Sequence, residues 1–127
     1  MKPKEIDLGF KVYESDLYKL DLSAERMGMS ELMVNADIPY LEQEDTDDWN
    51  LSPSQLIKNW DREITHSARV EAADLDYPIM IYFFRGEWII LDGVHRFTKA
   101  LMEGREFIMV KKVSDGIVAT LRQLEES

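Results

Sequence analysis

The densest chemistry in this 127-residue chain lies in one short run, Asp92-Gly93-Val94-His95-Arg96, with Lys99 one helical turn beyond His95. A guanidinium presents a planar fork of donors that matches a phosphate, and it stays charged. An imidazole can donate to the same anion, or move a proton near neutral pH. Gly93 has no side chain to block a close approach to the backbone. A helix that opens at Val94 leaves its first N–H groups without helical partners, at the positive end of its dipole. The run therefore predicts an anion pocket built from Gly93, Val94, His95 and Arg96, with Lys99 able to reach the same ligand. A plainer arrangement stands beside it: Arg96 pairs with an acidic neighbour such as Asp92 or Glu71, and His95 caps its own strand.

Positioning such a pocket needs a strand, a sharp turn and a helix in succession, and the flanking residues supply them. Trp88, Ile89, Ile90 and Leu91 read as a buried strand, Asp92-Gly93 as the turn. Phe97, Ala100 and Leu101 recur at helical spacing, and Gly104 is placed to stop the helix. Upstream, Ser52-Pro53-Ser54-Gln55 is a helix start, with Ser52 to cap, Pro53 in the first position and Gln55 to complete a capping box. Leu56, Ile57, Trp60, Ile64 and Ala68 then predict a helical stripe to about Ala73, in one helix or in two with a break near Asp61. His66 and Arg69 lie three residues apart on it and share a face. His66 otherwise reads as a surface or interface histidine.

The other elements follow from periodicity. Ile6, Leu8, Phe10 and Val12 alternate with polar residues and predict a half-buried strand. Ser15-Asp16 can cap a short helix to Leu22. Met27, Met29, Leu32 and Met33 suggest irregular core filling, or an adaptable partner surface. Ile38-Pro39-Tyr40-Leu41 reads as extended. Residues 79–84 and 87–91 form a hairpin about Arg85-Gly86, and 107–113 make a further strand ending in Lys111 and Lys112. A turn at Ser114-Asp115-Gly116 leads into a terminal amphipathic helix carrying Ile117, Val118, Leu121 and Leu124. Strands mixed with helices, partly joined by a hairpin, predict an α+β fold: one domain over 1–127, a small mixed sheet with flanking helices.

Composition limits the functions on offer. Twenty-five acidic residues against fifteen basic ones give a net charge of −10. Such a surface repels nucleic acid, whose binding is driven by lysine and arginine neutralising phosphates. A local basic pocket can still hold a nucleotide, because close pairing outweighs screened distant charge. The acidity reads as solubility, or as a face for a basic partner. With no cysteine, disulfides and thiolate metal sites are excluded, and a cytoplasmic setting is expected. No apolar run approaches the ~20 residues needed to span a membrane, and the first residues lack the apolar stretch of a signal peptide. The run Glu42, Glu44, Asp45, Asp47, Asp48 reads as a solvated loop; the spacing of a calcium loop is missing. With two histidines and no H-E-x-x-H, no zinc site is expected.

The element Asp92-Gly93-Val94-His95-Arg96-Phe97-Thr98-Lys99-Ala100 after an apolar strand resembles the signature of the ParB/sulfiredoxin superfamily. The likeness extends upstream through Ala72-Ala73-Asp74-Leu75-Asp76-Tyr77-Pro78-Ile79 to small stand-alone ParB-like proteins, covering about 63–113. The first sixty residues form a part without a counterpart. The resemblance implies a ParB/sulfiredoxin-like fold in which this element binds nucleotide phosphates, as sulfiredoxin does for ATP, free serine kinases for a nucleotide donor and ParB for CTP. Some relatives have been assigned nuclease activity. In the small relatives a histidine followed by an arginine sits near His66 and Arg69, which implies a second contribution to the pocket.

Departures from the pattern matter as much. Sulfiredoxin needs a cysteine where this chain has Val94, so sulfinic-acid reduction is excluded. Phosphotransfer needs a base and usually a Mg2+ ligand. Asp92, Glu71, Asp74 and Asp76 are the carboxylates on hand, none singled out by spacing, and Asp92 and His95 are the candidate catalytic residues. A nuclease would need paired carboxylates on metal ions, and the acidic surface opposes its substrate. Three readings result. The first is a protein that binds a nucleotide (ATP, ADP or CTP, with Mg2+) or another small phosphorylated ligand, with or without phosphotransfer or nucleotide hydrolysis. The second is a non-catalytic acidic protein, of the style of a phage or mobile-element inhibitor, that binds a basic protein. The third, a partitioning-type DNA binder, is disfavoured by charge and by a length that leaves no room for a helix-turn-helix and a dimerisation segment.

Overall fold

The computed structural model describes residues 21–44 and 49–118. Four strands form a mixed sheet: β1 (Glu25–Gly28), β4 (Ile79–Phe84), β5 (Glu87–Asp92) and β6 (Phe107–Val113), in the order β1-β6-β4-β5. β4 and β5 are an antiparallel hairpin, β6 runs parallel to β4, and β1 closes the other edge antiparallel to β6. The strands β2 (Leu41–Glu42) and β3 (Trp49–Leu51) make a separate two-stranded ribbon. Three α-helices, α1 (Pro53–Lys58), α2 (Ile64–Ala72) and α3 (Val94–Met102), a 3-10 helix (Met29–Asp37) and a helical turn over 115–118 complete the described fold. This is the expected small α+β protein with a mixed sheet and flanking helices.

One face of the sheet carries the main core. Ile79, Ile81, Ile89 and Val110 pack with Phe97 and Ala100 of α3, Leu56 of α1, Val70 of α2 and Leu32 of the 3-10 helix. Burying side chains of this size stabilises by about 1.5–3 kcal/mol each. The opposite face carries a smaller cluster, Met80, Val113 and Val118. The parallel pairing of β4 with β6 requires a crossover, and β5 with α3 provides it.

Local chemistry explains the boundaries. Ser52 Oγ accepts from Gln55 N at 3.2 Å and Gln55 Oε1 from Ser52 N at 2.9 Å, the reciprocal cap expected at the start of α1. Arg85 at φ 52 and Gly86 at φ 84 form the two-residue hairpin turn. Gly104, at φ 67, ends α3 with its N–H on Leu101 O and the next N–H, of Arg105, on Ala100 O. That pair of bonds satisfies the orphan carbonyls of a helix end.

Some expectations are met in one of their alternatives and others are corrected. After Ser52 the structure has the two helices with a break near Asp61, over residues 59–63, where the N–H groups of Arg62 and Glu63 both bond back to Asn59 O. The break changes the helical phase, so Ser67 and Val70 face inward while Ile64 is 69% exposed and Ala68 also lies outside. The methionine-rich segment divides between β1 and the 3-10 helix: Met27, Met29 and Leu32 are buried, and Met33 is 43% exposed. After β6 no separate turn intervenes; a helical turn, 115–118, opens directly after Ser114, whose Oγ accepts from Ile117 N. The strand expected over 6–12, the helix from Ser15, and the continuation of the last helix beyond 118 lie outside the described residues.

β5 is an edge strand, and its free edge is covered in a way periodicity does not disclose. Asn35, fully buried, donates from Nδ2 to Trp88 O at 2.8 Å and to Leu32 O at 2.9 Å. The Tyr40 hydroxyl donates to Asn35 Oδ1 and accepts from Ile90 N at 2.9 Å. Two side chains thus stand in for a neighbouring strand and satisfy backbone groups that would otherwise be buried unpaired. Burial pushes the Tyr40 hydroxyl far above its ordinary value, so it stays a neutral donor.

Candidate functional site

β5 delivers Asp92 to the end of the sheet, Gly93 turns the chain, and α3 starts at Val94 as expected. Gly93 sits at φ 104 and ψ 26, a conformation that favours glycine. A Cβ there would lie 2.6 Å from Ile79 Cγ2 and 3.2 Å from Ile79 Cα. The close approach that this glycine permits is thus taken by β4. The first turn of α3 receives no side-chain cap, so the Val94, His95 and Arg96 N–H groups are the orphan donors of this helix end.

The six charged or titratable side chains assigned to the site from the sequence divide into two sets. Asp92, Arg96 and Lys99 are engaged inside the fold. Arg96 donates from Nη2 to Asp92 Oδ2 at 3.1 Å and from Nη1 to Pro78 O at 2.6 Å, the acidic-neighbour arrangement. Asp92 is buried, at 7% exposure, so its carboxylate needs that partner. Arg96 and Asp92 line a cavity of about 340 Å³ together with Tyr77, Lys111 and Asp74. Lys99 donates from Nζ to Ala73 O at 2.7 Å and to Glu71 O at 3.1 Å, closing the negative end of α2.

His66, Arg69 and His95 form the second set. His66 Nδ1 lies 3.0 Å from His95 Nε2, and His66 Nε2 lies 2.6 Å from Glu42 O. The two ring planes are inclined by only 23°, with centroids 5.3 Å apart. His95 therefore does not cap its own strand; it joins α3 to α2, and His66 joins both to the ribbon. Two imidazolium rings could not share this contact, since N–H would face N–H. Burial, and then the charges of His66 and Arg69, push His95 down to about 4, so it is neutral at neutral pH. Arg69 is exposed and has no hydrogen bond or ion pair among the described residues, although it is near enough for its charge to bear on His95.

Glu44, from the acidic run, is not merely solvated: its carboxylate accepts from Thr65 Oγ1 at 2.9 Å and Thr65 N at 3.3 Å at the start of α2. Residues 45–48 of that run lie outside the described residues. Glu63, the residue before α2, is fully buried; its Oε2 accepts from Glu44 N at 2.8 Å while Oε1 has no partner among the described residues. Glu63 did not stand out in the sequence and Glu44 did so only as a member of the run, because both bond groups brought close by the ribbon. Among the described residues no cluster of three or more metal-ligating side chains occurs, and no helix is long and apolar enough to cross a membrane. Compared with known proteins, the chain matches no family model, no curated protein and no solved structure.

Proposed function

We propose that this protein binds a small phosphorylated ligand, a nucleotide or phosphometabolite, at the N-terminal end of α3. The carrying observation is a guanidinium, Arg69, that has no partner among the described residues and whose charge reaches a neutral imidazole, His95, in the first turn of a helix without a side-chain cap. Backbone donors and Arg69 would hold the anion, with His66 orienting His95. Arg96 and Lys99 contribute by bracing the element, through Asp92 and the end of α2. The resemblance of the strand–Gly–His–Arg–helix element to the ParB/sulfiredoxin superfamily supports the same ligand class. Phosphotransfer or nucleotide hydrolysis with Mg2+ is the reaction to assay once binding is found, in a cytoplasmic setting.

A thermal-shift panel of nucleotides, phosphosugars and phosphoamino acids, with and without Mg2+, tests the proposal. Ligand at a hundred times its dissociation constant stabilises by about 2.7 kcal/mol, a rise on the order of 10 °C for a domain of this size. Arg69→Ala is the proper control, because Arg69 is exposed and its loss leaves the fold intact. A shift abolished by Arg69→Ala is expected; indifference to every phosphate would overturn the reading. One observation favours a second reading, an acidic protein that binds a basic partner: the charges of Arg96 and Lys99 are already spent within the fold. Salt-sensitive capture of a basic protein without any response to phosphates would establish it.

A further inference from the structure

The hydrogen bonds of the histidine pair determine which ring nitrogen is free to react. A carbonyl oxygen can only accept, so His66 Nε2, at 2.6 Å from Glu42 O, carries a hydrogen. In a neutral ring His66 Nδ1 is then the acceptor, and the hydrogen in the 3.0 Å contact belongs to His95 Nε2. That leaves the lone pair of His95 on Nδ1. Nδ1 makes no hydrogen bond among the described residues. It is also not among their buried, unpartnered side-chain atoms, of which Glu63 Oε1 is the example, so it retains contact with solvent. The chain of Glu42 carbonyl, His66 and His95 thus holds one ring in a single tautomer with one exposed basic nitrogen, the logic by which an oriented partner activates a nucleophile.

We propose that His95 Nδ1 is a phosphoryl acceptor, forming a phosphohistidine from a phosphoanhydride such as a nucleoside triphosphate. The inference rests on the phosphate-ligand reading above, which it deepens by naming the atom that reacts. In the step, the Nδ1 lone pair forms a bond to the terminal phosphorus. The bond from that phosphorus to the bridging oxygen breaks, and the oxygen leaves with the electron pair as the end of a nucleoside diphosphate. The ring becomes more acidic as it gains the phosphoryl group, and its Nε2 proton moves toward His66 Nδ1. The charge of Arg69 reaches His95, so this guanidinium is the cation on hand for the phosphoryl oxygens. The neutrality of His95 at pH 7 keeps the nucleophile unprotonated. Arg96 and Lys99, committed to carboxylate and carbonyl partners, take no part.

The test uses the full chain and two donors: Mg-ATP, and phosphoramidate, which phosphorylates exposed histidine without needing a nucleotide pocket. Intact-mass measurement and 31P NMR read the product, and peptide mapping under alkaline conditions locates it. Phosphoramidate is expected to give one acid-labile phosphoryl group, on Nδ1 of His95, lost in His95→Gln and retained in Arg69→Ala at a rate reduced roughly tenfold. Nitrogen NMR of labelled histidine gives an independent readout. Wild type should show hydrogen on Nε2 of both rings, and His66→Phe should leave His95 in mixed tautomers. Labelling of His66 instead, labelling at Nε2, or no labelling by either donor would overturn the proposal. Nucleotide binding without labelling by either donor would spare the ligand reading alone. Labelling by phosphoramidate without any nucleotide binding would spare the nucleophile alone.

Discussion

Replacing Gly93 by alanine tests whether the turn into α3 is held by sterics or is merely tolerant of glycine. Two costs are expected. At φ 104 an L-residue is strained, at about 1–2 kcal/mol. The added methyl would also lie 2.6 Å from Ile79 Cγ2 and 3.0 Å from Ile79 Cβ. Ile79 is fully buried in the middle of the core and has nowhere to retreat. Overpacking of this kind costs about 1–3 kcal/mol. Together they predict a loss of about 2–5 kcal/mol, a fall in Tm on the order of 10 °C or more. Gly86→Ala is the internal reference, since Gly86 is at φ 84 with nothing within 4 Å of its virtual Cβ. It should cost only the conformational part. Urea unfolding followed by circular dichroism gives both values, and an unchanged m-value licenses the comparison. The difference between the two variants isolates the clash. Adding Ile79→Ala to Gly93→Ala should recover part of it as a coupling energy of about 0.5–3 kcal/mol. Equal losses for Gly93→Ala and Gly86→Ala, or no coupling to position 79, would refute the steric account and return Gly93 to the role of a ligand-facing residue.

Further measurements follow from the same structure. Tyr40→Phe removes the hydroxyl that joins Asn35 Oδ1 to Ile90 N, leaving two buried polar groups unpaired; a loss of about 2–4 kcal/mol in urea unfolding is expected. Stability should fall as pH drops from about 6.5 to about 4, because the unfolded chain protonates its histidines before folded His95, which titrates near 4, can take a proton. The loss is about 1–2 kcal/mol, allowing for screening of a half-buried ring. In His95→Gln that part of the pH dependence should flatten, read from urea midpoints across the window. Ligand-induced stabilisation lost in Arg69→Ala, and phosphoryl labelling lost in His95→Gln, complete the set.

How legible the site was depends on the distance over which each residue acts. The strand, the Gly93 turn, the start of α3 and its stop at Gly104 were all readable, because caps and turns are decided within a few residues. The pairing of Arg96 with Asp92 was also readable as an alternative, since residues four apart are neighbours on this turn. Which alternative held was not, because it depends on Pro78 O arriving from β4. His66 and Arg69 were placed on one face of α2 correctly, but nothing local says that this face meets His95. The covering of the β5 edge by Asn35 and Tyr40 left no mark in periodicity, since a buried asparagine in a 3-10 helix looks like any polar residue in a helix.

The sequence alone determined the types of the elements from Pro53 to Val113, the close turn at Gly93, the lack of thiol chemistry and the strongly acidic charge. These depend on side-chain size, backbone conformation and composition, which act over a few residues or are summed over the chain. Tertiary structure decided which cations are spent within the described fold. It turned Arg96 and Lys99 inward onto carboxylate and carbonyl oxygens, left Arg69 outside, and brought two histidines 29 positions apart within hydrogen-bond distance. That selection follows from burial: a charge or carbonyl withdrawn from water must find a partner, and only the packed chain says which partner is in reach.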